Sequence, residues 1–339
     1  MRTLVLASVL LAGCVQDPPP LTDDTSLSCP RNGLLPFRLP TIFKNADTKM
    51  LVREKTRSKD ESSDTIGNPS GPYASIYLAP GQTPSSAPIA YRGTKARTLT
   101  TDGLVATPIL DEQVSLWTYD DGMWLPLGTT RTDELGAYEI SETPYVAPNG
   151  HPIYSMLDGD HSCAEHYSFL YPRGSKVVLT DIDGTLTTDD GQLLAQIPDE
   201  RYVPKMMGAA DKLAQAWAMK GYPIIYLTSR PHLLRPETRG WLRDLGFPLG
   251  AVITTKNVGD AAPFKAEWIQ RMKTGFGWDI VAAYGNADTD VVAYETAGIP
   301  KNVSFIVGPL AGMDGTVAID NMDFSAHIAS FVASQPENR

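Results

Sequence analysis

Cysteine is scarce in this chain. Only Cys14, Cys29 and Cys163 occur in 339 residues, which allows one internal disulfide at most. Basic charge is also short: 29 Lys and Arg stand against 39 Asp and Glu, for a formal net charge of −10. That balance argues against non-specific binding to nucleic acid or anionic lipid, and leaves room for a local basic patch. No internal repeat is found. The apolar run from Leu4 to Leu11 is too short to span a bilayer stably. Hydrophobic residues make up 42% of the sequence, enough for a sizeable core. The length suits two domains of ordinary size plus a tether.

Residues 1–13 have the layout of an export signal, with Arg2 as the positive start and Leu4–Leu11 as the apolar stretch. Leu11-Ala12-Gly13-Cys14 resembles the lipobox of bacterial lipoproteins, which implies cleavage before Cys14 and lipid on its sulfur. Val15, rather than an aspartate, follows the cysteine. By the same resemblance the expected location is the bacterial envelope, anchored in the outer membrane and facing periplasm or cell surface. Cys29 and Cys163 would then share an oxidising compartment, where one disulfide or two free thiols are both open.

Residues 14–74 are rich in Pro, Asp, Ser, Thr and Lys, and read as a largely irregular tether. Residues 75–172 read as all-β. Val114-Ser115-Leu116-Trp117-Thr118-Tyr119 alternates, Asp120-Asp121-Gly122 turns the chain, and Met123-Trp124-Leu125 returns it. With Thr132–Ile140 as a further turn and strand, the stretch resembles small transthyretin-like or immunoglobulin-like sandwiches. Trp117, Tyr119, Trp124 and Tyr138 read as core or edge residues. Residues 173–339 alternate strand and helix. Strands are expected at 176–180, 222–227, 252–254, 279–284 and 303–307. A helix carries Met206, Ala209, Leu213 and Trp217, and others follow near 236–246, 264–273, 289–297 and 324–334. The expected fold class is therefore α/β, a doubly wound parallel sheet preceded by a small all-β sandwich.

Val177-Val178-Leu179-Thr180-Asp181-Ile182-Asp183-Gly184-Thr185 carries the strongest chemical signal. A buried strand that stops at two carboxylates places them at its carboxyl end, where open α/β sheets bind ligands. Two acids this close repel one another, and a cation relieves the repulsion. An EF-hand is excluded, because its sixth and twelfth positions would be Leu186 and Gln192. Three further segments end in polar residues: Thr228-Ser229-Arg230 after a strand, Lys265 on a helix, and Asn286-Ala287-Asp288-Thr289-Asp290 after another strand. Parallel strands bring such ends together.

This order of motifs is that of haloacid-dehalogenase-superfamily phosphatases. More narrowly, "DIDGTLT", "YLTSRP", "TRGWL", "FKAEWI" and "YGNADTDVVAYETAGIP" make the chain resemble the catalytic domain of lipin-type phosphatidate phosphatases. One departure is Ala287, where that family usually carries arginine. The resemblance implies Asp181 as nucleophile forming an aspartyl-phosphate, Asp183 as proton donor and then base, and Lys265 as the neutralising cation. It implies Mg²⁺ held by Asp181, the Asp183 backbone carbonyl and Asn286. Thr228, Ser229, Thr185 and Arg230 would bind substrate phosphate, and Asp290 would orient Lys265 or a metal-bound water. Arg235, Arg239 and His232 lie close in sequence, with surface arginine as the default. The intervals Asp181–Thr228 and Thr228–Lys265 are too short for a cap domain, so an open site is expected.

Three functions follow as expectations. The first is Mg²⁺-dependent hydrolysis of phosphatidate to diacylglycerol and phosphate, at a membrane reached through the Cys14 anchor. The second is a periplasmic phosphomonoesterase acting on soluble or macromolecular esters. The third is a non-catalytic phospholipid-binding module, for which loss of the first aspartate would be the signature. No nucleic-acid partner is expected.

Overall fold

The computed structural model describes residues 58–85, 91–98, 106–120, 123–140, 149–157, 163–196, 202–255 and 259–338. The expected export signal, Cys14 and Cys29, and with Cys29 its pairing to Cys163, lie outside the described residues. Among the described residues the first strand is Ser58–Ser63, inside the stretch read as irregular. The strands up to Leu170 are β1 (Ser58–Ser63), β2 (Thr65–Gly67), β3 (Tyr73–Ser75), β4 (Tyr91–Thr98), β5 (Ala106–Pro108), β6 (Gln113–Asp120), β7 (Met123–Arg131), β8 (Ala137–Ile140), β9 (Ile153–Leu157), β10 (Cys163–His166) and β11 (Ser168–Leu170). The sequence SKDESS of β1 has no apolar alternation to reveal it. It pairs antiparallel with β4 along its whole length, at the edge of its sheet, where charged residues are tolerated.

Two antiparallel sheets form here. In one, β4 pairs with β1, β5 and β8; the other runs in the order β10-β9-β6-β7. Tyr91, Val114, Leu116, Leu127, Tyr138 and Ile153 draw both sheets onto one apolar cluster. Ser115 and Thr118 are buried as well, so β6 is an interior strand covered on both faces rather than a half-exposed one. Trp117 and Tyr138 are buried, as expected of core residues.

A third, mixed sheet of β11, β2 and β3 was not foreseen. Its Ile66, Ala74 and Phe169 sit in the same core as Val177, Leu179, Ile225 and Trp268. The core of the α/β part thus reaches back to residue 66, across the boundary drawn at 173.

From residue 176 the chain alternates: β12 (Lys176–Thr180), α1 (Gly191–Gln196), α2 (Ala210–Met219), β13 (Ile224–Pro231), α3 (Arg235–Asp244), β14 (Ala251–Thr255), α4 (Ala261–Gln270), β15 (Asp279–Gly285), α5 (Asp288–Thr296), β16 (Ser304–Val307) and β17 (Val317–Ile319). The six strands make one sheet in the order β14-β13-β12-β15-β16-β17, parallel throughout. Val177 and Leu179 enter the apolar cluster on one face of this sheet, and Val178 the cluster on the other. That is why β12 reads as an unbroken apolar run. The chain order reverses at β12, which has β13 on one side and β15 on the other. Such a reversal opens a crevice at the carboxyl ends of the strands.

Several elements differ in extent from expectation. The helix expected to include Met206 and Ala209 starts at Ala210, because Ala209 adopts a left-handed φ of 55° and Met206 instead bridges Thr187. β13 continues through Thr228 and Arg230 to Pro231, with its register against β14 shifting after Leu227. α4 runs on into a wider π-helical turn over Arg271–Phe276. The last helix is short, Ser325–His327, and continues as a π-helical stretch over Ile328–Val332. Among the described residues no helix is long and apolar enough to cross a membrane.

Candidate functional site

The site is built where β12, β13 and β15 end. The Asp181 backbone N–H donates to Tyr284 O at 2.9 Å, which ties the end of β12 to β15. The chain then turns tightly: the N–H groups of Thr185, Leu186 and Thr187 all donate to Ile182 O. Gly184 makes this possible. Its φ is 72°, and a Cβ there would lie 2.1 Å from Asn286 Nδ2 and 2.7 Å from Asp190 Oδ1.

Lys265, on α4, reaches across to Asp181 Oδ1 at 2.8 Å and Asp290 Oδ1 at 2.6 Å. All three residues are at least nine-tenths buried. Asp290 Oδ2 also accepts from the backbone N–H groups of Asn286 and Ala287, at 3.0 and 3.1 Å, so it closes the start of α5 while holding Lys265. Burial pushes the Asp181 carboxyl up to about 7; Lys265 opposes that rise, and Asp290 and Asp183 add to it. Burial works against the Lys265 charge too, but the two carboxylates outweigh it and raise the ammonium above its ordinary range.

Asp183 is held differently. Arg230 Nε lies 3.1 and 2.9 Å from its two oxygens, and Nη2 lies 2.8 Å from Oδ1. Thr228 Oγ1 donates to Asp183 Oδ2 at 3.2 Å and accepts from the Arg230 N–H at 3.2 Å. The guanidinium is fully buried. Arg230, expected on a substrate phosphate, lies against Asp183. The physical reason is that a buried guanidinium needs an anion, and the nearest is the second carboxylate of the pair.

The Thr185 hydroxyl lies 3.1 Å from Asn286 Oδ1 and 3.4 Å from Asp181 Oδ2, and its one proton serves one of them at a time. Asn286 Nδ2 donates to Asp190 Oδ1 at 3.3 Å. Ser229 Oγ is buried and has no hydrogen-bond partner among the described residues. The structure therefore places the residues in two hydrogen-bonded sets, Asp181, Thr185, Lys265, Asn286 and Asp290 in one and Asp183, Thr228 and Arg230 in the other, joined through the Asp181–Asp183 backbone, with Ser229 between Thr228 and Arg230 on β13. Cys14 lies outside the described residues.

Asp190 was missed. Burial raises its carboxyl pKa, Asn286 lowers it, and Asp183 and Asp290 raise it further. The signal was there to be read: Thr188-Asp189-Asp190-Gly191 puts two more acids just beyond the Asp181 turn. Asp181, Asp183, Asp190 and Asp290 face the two cations Lys265 and Arg230, so carboxylates are in excess. Among the described residues, no three His, Cys, Asp or Glu side chains form a metal cage by themselves. A cavity of about 210 Å³ lies elsewhere, between β10–β11 and α3, lined by Tyr167, Tyr226, Arg239 and Phe247 among others.

The stretch that carries this cluster has relatives. The family model described as "PITM 1-3, LNS2 domain" matches residues 178–308. Membrane-associated phosphatidylinositol transfer protein 3 of Homo sapiens is 28% identical over 217 residues, covering 63% of this chain and 22% of its own length. Membrane-associated phosphatidylinositol transfer protein 2 of Mus musculus is 29% identical over 212 residues, covering 61% and 15%. Protein retinal degeneration B of Drosophila melanogaster is 26% identical over 216 residues, covering 62% and 16%. The match spans about a fifth or less of these relatives' length. A solved phosphoserine phosphatase in a phospho-aspartyl analogue state aligns at 12% identity, over 47% of this chain and 99% of its own, with a TM-score of 0.34, too low to bear on the fold. These relatives correct three expectations. The resemblance is to the LNS2 domain of phosphatidylinositol transfer proteins and not to a lipin-type phosphatidate phosphatase. The reading as a bacterial lipoprotein with a cleaved signal falls with it, and so does the outer-membrane location, since the relatives are membrane-associated proteins of animals. Over residues 178–308, which contain every member of the carboxylate–lysine cluster, this chain is similar to an LNS2 domain.

Proposed function

We propose that the chain is a phospholipid-binding module that holds a phosphate-bearing headgroup at the carboxyl ends of β12, β13 and β15, without hydrolysing it. The observation that carries this reading is the grip of Arg230 on Asp183. Hydrolysis through an aspartyl-phosphate needs Asp183 to deliver a proton to the leaving oxygen. Both Asp183 oxygens are occupied by Arg230 and Thr228, so proton delivery would first have to break a bidentate ion pair. Presence of both aspartates was the mark expected of an enzyme; their partners support the binding reading. The relatives' names add weight, since they are transfer proteins for a phospholipid.

Phosphate binding rests on Lys265 and on Ser229, whose buried Oγ has no hydrogen-bond partner among the described residues. Excess carboxylate and the hard oxygens of Asp181, Asp190 and Asn286, close-set around Gly184, suit a divalent cation such as Mg²⁺. When bound, the cation would neutralise carboxylate and phosphate charge together. One or two protein carboxylates are enough for such a site. The βα order and short intervals support a haloacid-dehalogenase-like arrangement without a cap, which leaves the site open to a membrane-held headgroup.

Vesicle flotation of the full chain tests this. Phosphatidate vesicles with Mg²⁺ should retain it, and phosphatidylserine vesicles of equal charge should retain it far less. Equal retention on both would overturn headgroup recognition in favour of plain charge attraction.

A further inference from the structure

A carboxylate with no solvent exposure must be matched by cations or hydrogen bonds. Asp64, between β1 and β2, is such a group. It accepts from the Tyr167 N–H at 2.9 Å through Oδ1. Its Oδ2 pairs with Arg235 Nη1 at 3.1 Å and with Arg239 Nη2. Arg235 and Arg239 are four residues apart on α3, hence on one helical face, and both are buried. The Arg239 guanidinium further lies 4.6 Å from the centre of the Tyr167 ring. One carboxylate of the β-rich part thus fixes α3 through two arginines.

The same helix also touches the candidate site, through Thr238. Thr238 Oγ1 donates to Leu234 O at 2.7 Å, which turns its lone pair outward to accept from Arg230 Nη1 at 2.9 Å. Arg230 meets Asp183 through Nε and Nη2. A continuous series of contacts therefore runs from Asp64 through Arg235 and Arg239 to α3, and from Thr238 through Arg230 to Asp183.

We propose that Asp64 is a positioning residue for the site: by fixing α3 it fixes the Arg230 guanidinium on Asp183. This deepens the binding reading and rests on it for the importance of the Asp183 clamp. The geometry favours positioning over simple stabilisation, because a pair serving only to join two parts has no need of a helix whose Thr238, between the two arginines in sequence, braces Arg230.

Arginine side-chain NMR of the full, ¹⁵N-labelled chain tests the proposal without any ligand. The Arg230 Nε–Hε signal is assigned by its loss in Arg230→Lys. Its hydrogen exchange should quicken by about tenfold or more in Asp64→Asn, and similarly in Thr238→Val, the size expected on loosening a hydrogen bond to a charged group. Asp64→Glu keeps the buried charge but lengthens the arm by one methylene, and should give a smaller quickening in a protein that still folds. It decides the matter if Asp64→Asn does not fold. Unchanged Arg230 exchange in the folded Asp64 variants, with only a lowered melting temperature, would overturn the proposal. Phosphatidate-vesicle affinity is measured on the same samples. A wild-type chain that fails to bind vesicles defeats the functional reading, while Arg230 exchange still decides the positioning role.

Discussion

At the scale of single residues, the site is a contest between burial and charge. Asp181 shows it most clearly, with its carboxyl pushed up to about 7 by burial. In the unfolded chain an aspartate titrates near 3.9. Between about pH 4 and 7 the folded chain therefore holds a proton that the unfolded chain has lost, and stability falls as pH rises through that window. Urea unfolding from pH 5 to pH 8 should show this decline, and Asp181→Asn should flatten it; an unchanged slope in the variant would contradict the assignment. The paired aspartates could be singled out because Asp181 and Asp183 stand at the end of an apolar run. Thr228 and Asn286 likewise follow apolar runs, and Lys265 was singled out only by its place between them on a helix. The Arg230–Asp183 pair was not legible, because the two residues are 47 positions apart in sequence and nothing local says whether an arginine meets a ligand or a neighbouring acid. Asp190 was overlooked because its place in the site depends on the fold of the Ile182–Leu186 turn, which returns the chain toward Asn286.

At the scale of elements, that turn is the part under most constraint. Gly184→Ala forces a side chain into a left-handed backbone and onto Asn286 Nδ2. It should cost about 1–3 kcal/mol in unfolding free energy, the usual range for a strained backbone position. It should also weaken vesicle binding, since Asn286 and Asp190 must move apart. Thermal unfolding and flotation together check this, and a neutral result in both would show the turn to be more yielding than its contacts suggest. The strands of the parallel sheet were readable as apolar runs because both faces of the sheet are covered. Element edges were less so. α2 begins late because Ala209 takes a left-handed φ that its sequence does not announce. β1 and β17 are edge strands, β1 polar and β17 only three residues long, and periodicity is weakest in such cases.

At the scale of the molecule, the β-rich and α/β parts share structure. Ile66, Ala74, Ile76 and Phe169 belong to the core that covers one face of the parallel sheet. Arg271 donates to the carbonyls of Leu78, Ala79 and Gln82, and Trp278 Nε1 to Tyr171 O at 2.9 Å. At about 1.5–3 kcal/mol for each large apolar side chain buried, Ile66, Ile76 and Phe169 alone account for roughly 5–9 kcal/mol. That is comparable with the whole stability of an ordinary domain, about 5–15 kcal/mol. A fragment of residues 173–339 should therefore lack a cooperative thermal transition that the full chain shows; cooperative unfolding of the fragment would contradict a shared core. This coupling was invisible in the sequence, because a boundary drawn from composition cannot register contacts made by residues far apart along the chain, such as Arg271 and Leu78, 193 positions apart. The central claim is that the site holds a phosphate-bearing headgroup and leaves it intact. Phosphate release from phosphatidate vesicles, measured with Mg²⁺ on full-length protein already seen to bind them, tests it most directly. The expected result is release no greater than that of Asp181→Asn; sustained release that Asp181→Asn abolishes would contradict the account.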